Sequence, residues 1–170
     1  MVTPSSFLAH CIAMEWDQQQ GTITQNNMHL TSLAFTALDN ASGLPRAQRT
    51  DILLDYLRND TVLYRQDIPE ALFVMQCKHW DALSAWFQQR FGATLTSTME
   101  LGSVEQTPQT VTAVRAYVDG LSTWSLEGLY YAAESARSII VAMALIEGHV
   151  DAEQATFLSR LETEYQVCES

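Results

Sequence analysis

Positive charge is what this 170-residue sequence has least of: nine Lys and Arg stand against twenty Asp and Glu, a formal charge of −11. Such a field repels polyphosphate and anionic lipid, so nucleic-acid binding and membrane-surface attachment are not expected. Cysteine is scarce as well. Cys11, Cys77 and Cys168 form no CxxC or other ligand spacing, and an odd, scattered set fits free thiols in a reducing compartment rather than a disulfide framework. No apolar run is long enough to span a bilayer. The most hydrophobic, Ser138 to Ile146, is about half of the roughly 20 residues required, and Arg137 and Glu147 border it. The opening residues, MVTPSSFLAHCIAMEW, carry neither a basic n-region nor the Arg-rich character of a presequence. Also missing are a phosphate-cradling Gly-rich loop, a nucleophile elbow, an HExxH and an EF-hand pattern, so no enzyme activity, cofactor or metal is expected.

What is present is a helical pattern. Hydrophobic residues make up 47% and charged residues 17%, a globular composition, and the length suits one domain over residues 1–170. The longest and most apolar helical stretch is Leu121 to Gly148. Ser122 or Thr123 is its expected N-cap and Gly148 its left-handed end, while apolar or small residues on nearly every face from Leu129 to Ile146 predict burial. Its charges Glu134 and Arg137, three residues apart, read as an internal tie; a pair lining a cavity is the rival.

The remaining helices follow from caps and apolar spacing. Thr3-Pro4 opens a helix to Gln19 with Phe7, Leu8, Cys11, Ile12 and Trp16 inward, and Gly21 ends it. Met28 to Leu38 is the second, with Leu30, Leu33, Ala34, Ala37 and Leu38 on one face. After the turn-rich link 39–43, Pro45 opens a third to Arg58 around Ile52, Leu53, Tyr56 and Leu57. Thr61 to Arg65 is an extended connector, coil or a short strand. Pro69 to Trp80 is a fourth helix, and Asp81 reads as a fresh N-cap for a fifth from Ala82 to Phe91, closed by Gly92. Ala93 to Pro108 is a loop laid over the core, and Gln109 to Asp119 is helical with Val111, Val114, Tyr117 and Val118 inward. Beyond Gly148, Asp151 and Gln154 form a capping box, and the last helix runs to Val167 with Ala155, Leu158, Leu161 and Tyr165 packed on the long helix. The expected fold is therefore all-α, a single orthogonal helical bundle of about six to eight helices with a long buried helix near the C-terminus and short extended connectors.

Side chains able to do chemistry are few. Cys77 and His79, at i and i+2, point to different faces of a helix, so Cys77 is assigned to packing and His79 to solvent rather than to a metal. Trp16, Trp80, Trp86 and Trp124 are expected in the core or at its edge.

Three sets of strings, in chain order, carry a family resemblance. The first is Glu15-Trp16-Asp17-Gln18-Gln19 with Met28-His29-Leu30-Thr31-Ser32-Leu33 and Thr36-Ala37-Leu38-Asp39. The second is Asp60-Thr61-Val62-Leu63-Tyr64-Arg65 with Trp80-Asp81 and Arg90-Phe91-Gly92, and the third runs from Leu158 to Gln166. Together they resemble the F1-ATPase assembly chaperone family of mitochondria and alphaproteobacteria, the alpha-subunit assembly factor. That family has a β-rich N-terminal domain before a helical one, and this sequence matches the helical domain. Its members usually continue past Tyr165-Gln166 through a Trp-Gly pair and an acidic tail, and this sequence departs from that pattern. The resemblance implies a non-enzymatic protein that binds the unassembled F1 alpha subunit and prevents its aggregation before beta joins, a monomer when free. It would reside in the mitochondrial matrix or in an alphaproteobacterial cytoplasm. A scaffold subunit of a larger complex or a small-ligand-binding domain is the alternative. On the matched positions, Glu162, Glu164 and Arg160 are the expected partner-binding residues, with Trp16 and Asp17 beside them in expectation; Tyr64-Arg65 and Trp80-Asp81 are expected to set connector geometry.

Overall fold

The computed structural model describes residues 3–39, 43–100 and 102–168. Among these residues it shows nine α-helices, two single-turn 3-10 segments and no β-strand. The all-α expectation is met. The helices are α1 (Ser6–Asp17), α2 (His29–Asp39), α3 (Arg46–Arg58), α4 (Glu70–Phe91), α5 (Pro108–Gly120), α6 (Thr123–Ala136), α7 (Ile139–Ile146), α8 (Ala152–Ser159) and α9 (Leu161–Cys168). The sequence pattern differs by one missing boundary and two extra ones. Most of the turn-rich link 39–43 lies outside the described residues. Contacts group the chain into two units: Met1–Pro45 with Leu121–Gly128, and Arg46–Gly120 with Leu129–Ser170.

In the first unit Ser5, not Thr3, caps α1: its Oγ accepts from the Leu8 amide at 3.1 Å. The chain then reverses so that α2 meets α1 end-on through Glu15. One carboxylate oxygen accepts from the Leu30 amide at 2.7 Å, and the other accepts from the Thr31 amide and hydroxyl, each at 2.8 Å. These are two of the amide donors that a helix N-terminus leaves without an intrahelical partner, and the positive end of the helix dipole favours the carboxylate. Burial pushes the Glu15 carboxyl up, but the bonds from Leu30 and Thr31, with His29 nearby, outweigh it and hold it below its ordinary range. The inward face expected of α1 is only partly inward. Ile12 is buried, whereas Phe7 is 78% exposed and Trp16 44% exposed. On α2, Thr31, Ala34 and Ala37 are buried and Leu38 is exposed.

In the second unit the expected long helix is broken between α6 and α7. Arg137 adopts a positive φ of 52°, and Ser138 in extended conformation becomes the N-cap of α7, its Oγ accepting from the Val141 amide at 3.0 Å. The cause lies far away in sequence. Asp60 is fully buried; one oxygen accepts from the Val62 amide at 3.1 Å, the other from the Ile140 amide at 3.0 Å, and the Ser138 hydroxyl also donates to it. The Arg137 carbonyl, turned outward at the break, accepts from Thr61 through the amide and through Oγ1, the latter at 3.0 Å. The connector around Thr61 is thus not a strand. It is a single 3-10 turn, Thr61–Leu63, followed by one bridge pairing Tyr64 with Thr98. Its carboxylate replaces the hydrogen bonds that an unbroken helix would have made. Freed from α6, the short α7 is buried along its first six residues, Ile139 to Ala144, and packs on α3, α4 and α8. Gly148, with a φ of 68°, stands at the expected left-handed end.

Helix α4 removes the other expected boundary, for its 22 residues run straight through Asp81. Asp81 does not cap: its carboxylate accepts from Arg65 Nη2 at 3.0 Å. A side chain engaged outward no longer competes for the helix amides, so the helix continues. Arg65 also donates to the Val62 carbonyl and lies over the Trp80 ring at 5.0 Å, and the buried Trp80 donates its indole N–H to the Leu158 carbonyl at 3.1 Å. The last helix is divided as well. Arg160 leaves helical geometry, with a φ of −118°, and its amide bonds back to the Phe157 carbonyl, so α8 ends and α9 restarts at the buried Leu161. The Asp151–Gln154 capping box at the start of α8 is present in full. In the loop 93–107, Ala93, Val104 and Gln106 are buried, and Gln106 exchanges two hydrogen bonds with the Thr96 backbone, at 2.8 and 2.9 Å. No helix among the described residues is long and apolar enough to cross a membrane.

Asp60→Asn places an amide donor against backbone donors and is expected to lower unfolding stability by about 2–4 kcal/mol in chemical denaturation. Burial pushes the Asp60 carboxyl up from 3.8 to about 6, so the folded state holds this proton more tightly than the unfolded chain. Its contribution to stability therefore grows as pH falls below about 6, and the gap between parent and Asp60→Asn should widen between pH 7 and pH 5. Glu15 has the opposite sign. Its depressed carboxyl stabilises above the ordinary carboxylate range and loses that contribution as pH falls through its folded value. Hydrogen exchange at the Leu30 and Thr31 amides should accelerate in Glu15→Gln at neutral pH, the difference closing in acid. Arg137→Gly relieves a left-handed backbone and is expected to be neutral or to stabilise by roughly 0.5 kcal/mol; a loss of stability would show that the Arg137 side chain holds the break.

Candidate partner-binding surface

The five residues expected to bind a partner are divided between the units. Trp16 and Asp17 close α1 in the first unit, and both are exposed. Arg160, Glu162 and Glu164 belong to the second. Glu162 and Glu164, two residues apart on α9, point to nearly opposite sides because a helix turns about 100° per residue. Glu164 is exposed, whereas Glu162 is half-buried and its Oε1 accepts from Gln76 Nε2 at 2.9 Å. Gln76 is itself fully buried, and its Oε1 accepts from the Gln66 amide at 2.9 Å. Glu162 thus ends a polar chain that fastens α9 to α4 and to the connector before α4. Both carboxylates also lie in the first turn of α9, where the helix dipole favours them.

Arg160, at the junction of α8 and α9, rims an open groove of about 320 Å³ bounded by α6, α7 and α8. Val141, Ala142 and Ala155 are buried beneath it, and Tyr131, 50% exposed, stands on the opposite helix. Small residues shape it: Ala132 and Ala136 recur at i, i+4 on α6, and Ala152 and Ala155 at i, i+3 on α8. A rim of Tyr and Arg over an apolar floor has the composition of protein-binding surfaces, where these residues are enriched. Tyr131 was legible only as part of an apolar helix face. The spacing of the alanines is the signal that would have found the groove, and it becomes informative only once α7 is known to leave α6.

The other expected sites resolve differently. Glu134 and Arg137 are both exposed, form no ion pair with each other among the described residues, and do not line that groove, which corrects their reading as an internal tie. The break at Arg137 turns the two side chains out of helical register. Cys77 is a half-buried free thiol, and the side chain of Cys168 lies outside the described residues. His79 is not a solvent residue. It is half-buried, meets Phe157 edge-on at 5.0 Å, and burial followed by the nearby Lys78 lowers its pKa. Among the tryptophans Trp80 is fully buried, Trp86 stacks on His149 at 4.9 Å, and Trp124 is half-buried beside an apolar groove of about 210 Å³ in the first unit. Each unit thus carries one open, mainly apolar groove, with Trp124 beside that of the first unit and Tyr131 and Arg160 beside that of the second.

Known proteins share this fold. The sequence pattern of the ATP12 chaperone protein family matches residues 1–88. The mitochondrial protein atp12 of Schizosaccharomyces pombe is 28% identical over 169 residues, 94% of this chain, and the chain spans 58% of that relative's length. The crystal structure of Atp12 from Paracoccus denitrificans superposes with a TM-score of 0.87 at 35% identity, covering 96% of this chain and 70% of that one. A chaperone candidate from Agrobacterium tumefaciens superposes equally well, at 0.87 and 26% identity, over 99% of this chain and 63% of its own. With a family pattern over the first half and a 35% identical structure along nearly its whole length, this chain belongs to the ATP12 chaperone protein family.

Proposed function

We propose that this chain is the helical part of an ATP synthase assembly chaperone that holds the unassembled F1 alpha subunit until the beta subunit replaces it. The observation that carries the reading is the family assignment, and the family acts as chaperones rather than enzymes. The surface chemistry supports it. An unassembled subunit exposes an apolar interface meant for its neighbour, and a partner that covers it must offer complementary area rather than a deep reactive pocket. The groove rimmed by Tyr131 and Arg160 offers such area, and the exposed Glu164 offers charge to steer a basic patch. Trp16 and Asp17 are a second pair of exposed contacts in the first unit. Glu162 serves the same surface by holding α9 in place through Gln76. The site of action on this reading is the mitochondrial matrix or the cytoplasm of a bacterium, in keeping with one mitochondrial relative and one bacterial one.

Co-purification with free alpha subunit tests the proposal. The parent should retain alpha, and Glu164→Lys or Arg160→Glu should reduce capture about tenfold at unchanged melting temperature. Glu162→Lys should lower both capture and melting temperature, since it breaks the bond to Gln76. A folded parent that retains no alpha would sink the assignment.

A further inference from the structure

The chain's only lysine and two of its four histidines meet at one place in the second unit. Lys78 and His79 on α4, His149 ahead of α8 and Gln154 on α8 line an open groove of about 350 Å³, and none of the chain's twenty carboxylates lines it. Those nearest in sequence are mostly engaged elsewhere. Asp81 accepts from Arg65, Glu147 accepts from Arg90 Nε at 2.8 Å, and Asp151 caps α8 through the Gln154 amide, while Glu153 stands in the first turn of α8 outside the lining. The floor is apolar, with Leu83 and Leu158 buried and Phe157 half-buried. Rings hold both imidazoles: His79 meets Phe157 edge-on at 5.0 Å, and His149 stacks on Trp86 at 4.9 Å with the planes 13° apart. Gln154 uses its side-chain oxygen on the Asp151 amide, so its NH2 group is what it offers the groove. Lys78 is exposed and forms no ion pair among the described residues.

We propose that this groove docks an acidic segment of a protein partner, one carboxylate meeting Lys78 and a neighbouring apolar side chain resting on Leu83 and Phe157. The lining itself selects that chemistry. It holds one cation, two imidazoles and an amide that can donate hydrogen bonds, and an apolar floor, so a carboxylate and an adjacent apolar group are both satisfied there. Small-molecule sites enclose most of their ligand, whereas a groove open to solvent between α4 and α8 suits a stretch of chain laid along it. The net charge of −11 argues against a second copy, which would bring one whole negative field against another, and against an anionic membrane. A short acidic segment on a neutral or basic protein escapes that repulsion, because beyond about 8 Å salt screens the distant carboxylates and Lys78 is the charge it meets. The groove is separate from the one rimmed by Tyr131 and Arg160, and the inference does not rest on which client the chain holds.

The probe is a terminally blocked peptide of alternating glutamate and leucine, titrated into the full chain beside the same peptide with lysine in place of glutamate, and beside acetate alone. Acetylation by an amine-reactive reagent is the second readout, since Lys78 carries the only side-chain amine and the amino end of the chain serves as internal reference. The glutamate peptide should bind saturably and slow acetylation of Lys78 severalfold, and the lysine peptide and acetate should do neither. Lys78→Glu should weaken binding severalfold, an effect that shrinks at high salt. Ala82→Trp, which fills the groove from an exposed lining position, should weaken it about tenfold. Circular dichroism and melting temperature check folding, and the exposed Lys78 keeps the test open if the plug unfolds. No saturable binding of the glutamate peptide, or equal binding by the lysine peptide or by the folded variants, overturns the proposal. Protection by acetate alone would reduce the groove to an anion contact, and protection that rises with protein concentration in the absence of peptide would make a second copy the occupant; either result also overturns it. Free alpha subunit enters none of these measurements, so their failure leaves the proposed function standing.

Discussion

The fold of the second unit depends on one buried carboxylate. Asp60 lies in a connector with no regular structure of its own beyond a single 3-10 turn, yet its two oxygens take the Val62 and Ile140 amides and the Ser138 hydroxyl. Burying an ionisable group is costly unless its oxygens are satisfied, and a helix N-terminus is the place where unsatisfied amides are already available. The two needs meet at the gap between α6 and α7. Because the gap exists, α7 is short enough to lie buried along most of its length against three other helices.

Glu15 repeats the device in the first unit, where its carboxylate takes the first amides of α2. In both places a side chain from one segment caps a helix from another, so the angle between elements is set by hydrogen bonds rather than by side-chain packing alone. The two carboxyls nevertheless respond oppositely to their surroundings. Around Asp60 desolvation dominates and raises its pKa, whereas the more accessible Glu15 is held low by its donors. Polar groups used in this way are spent on architecture. What remains for a partner is apolar area, with a few charges at its margin.

Local signals in the sequence were read well where the determining atoms are near neighbours. The capping box at Asp151 and Gln154, the left-handed Gly92 and Gly148, and the Ser122 hydroxyl accepting from the Ser125 amide all depend on residues within one turn. Remote partners decide two of the three boundaries that the local pattern places differently. Asp81 has the chemistry of an N-cap, but Arg65 occupies its carboxylate and α4 continues. Arg137 and Ser138 sit in a run with helical periodicity, but Asp60 and Thr61 reward a break there. At Arg160 the apolar spacing of Ala155, Leu158 and Leu161 continues without interruption while the backbone does not.

By itself, then, the sequence determined the all-helical class, most helix ends, the acidic character and, through its strings of matching residues, the family. Those are properties of composition and of contacts within a few residues. Only the tertiary structure decided which carboxylate is architecture and which is available. Glu162 and Glu164 are indistinguishable as letters, but α9 turns one toward Gln76 and the other toward solvent. Tyr131, Arg160 and Trp124 likewise become a surface only when helices distant in sequence place a groove beside them. Periodicity specifies that a residue faces outward or inward on its own helix; which neighbour it meets is set by long-range hydrogen bonds that no local pattern encodes.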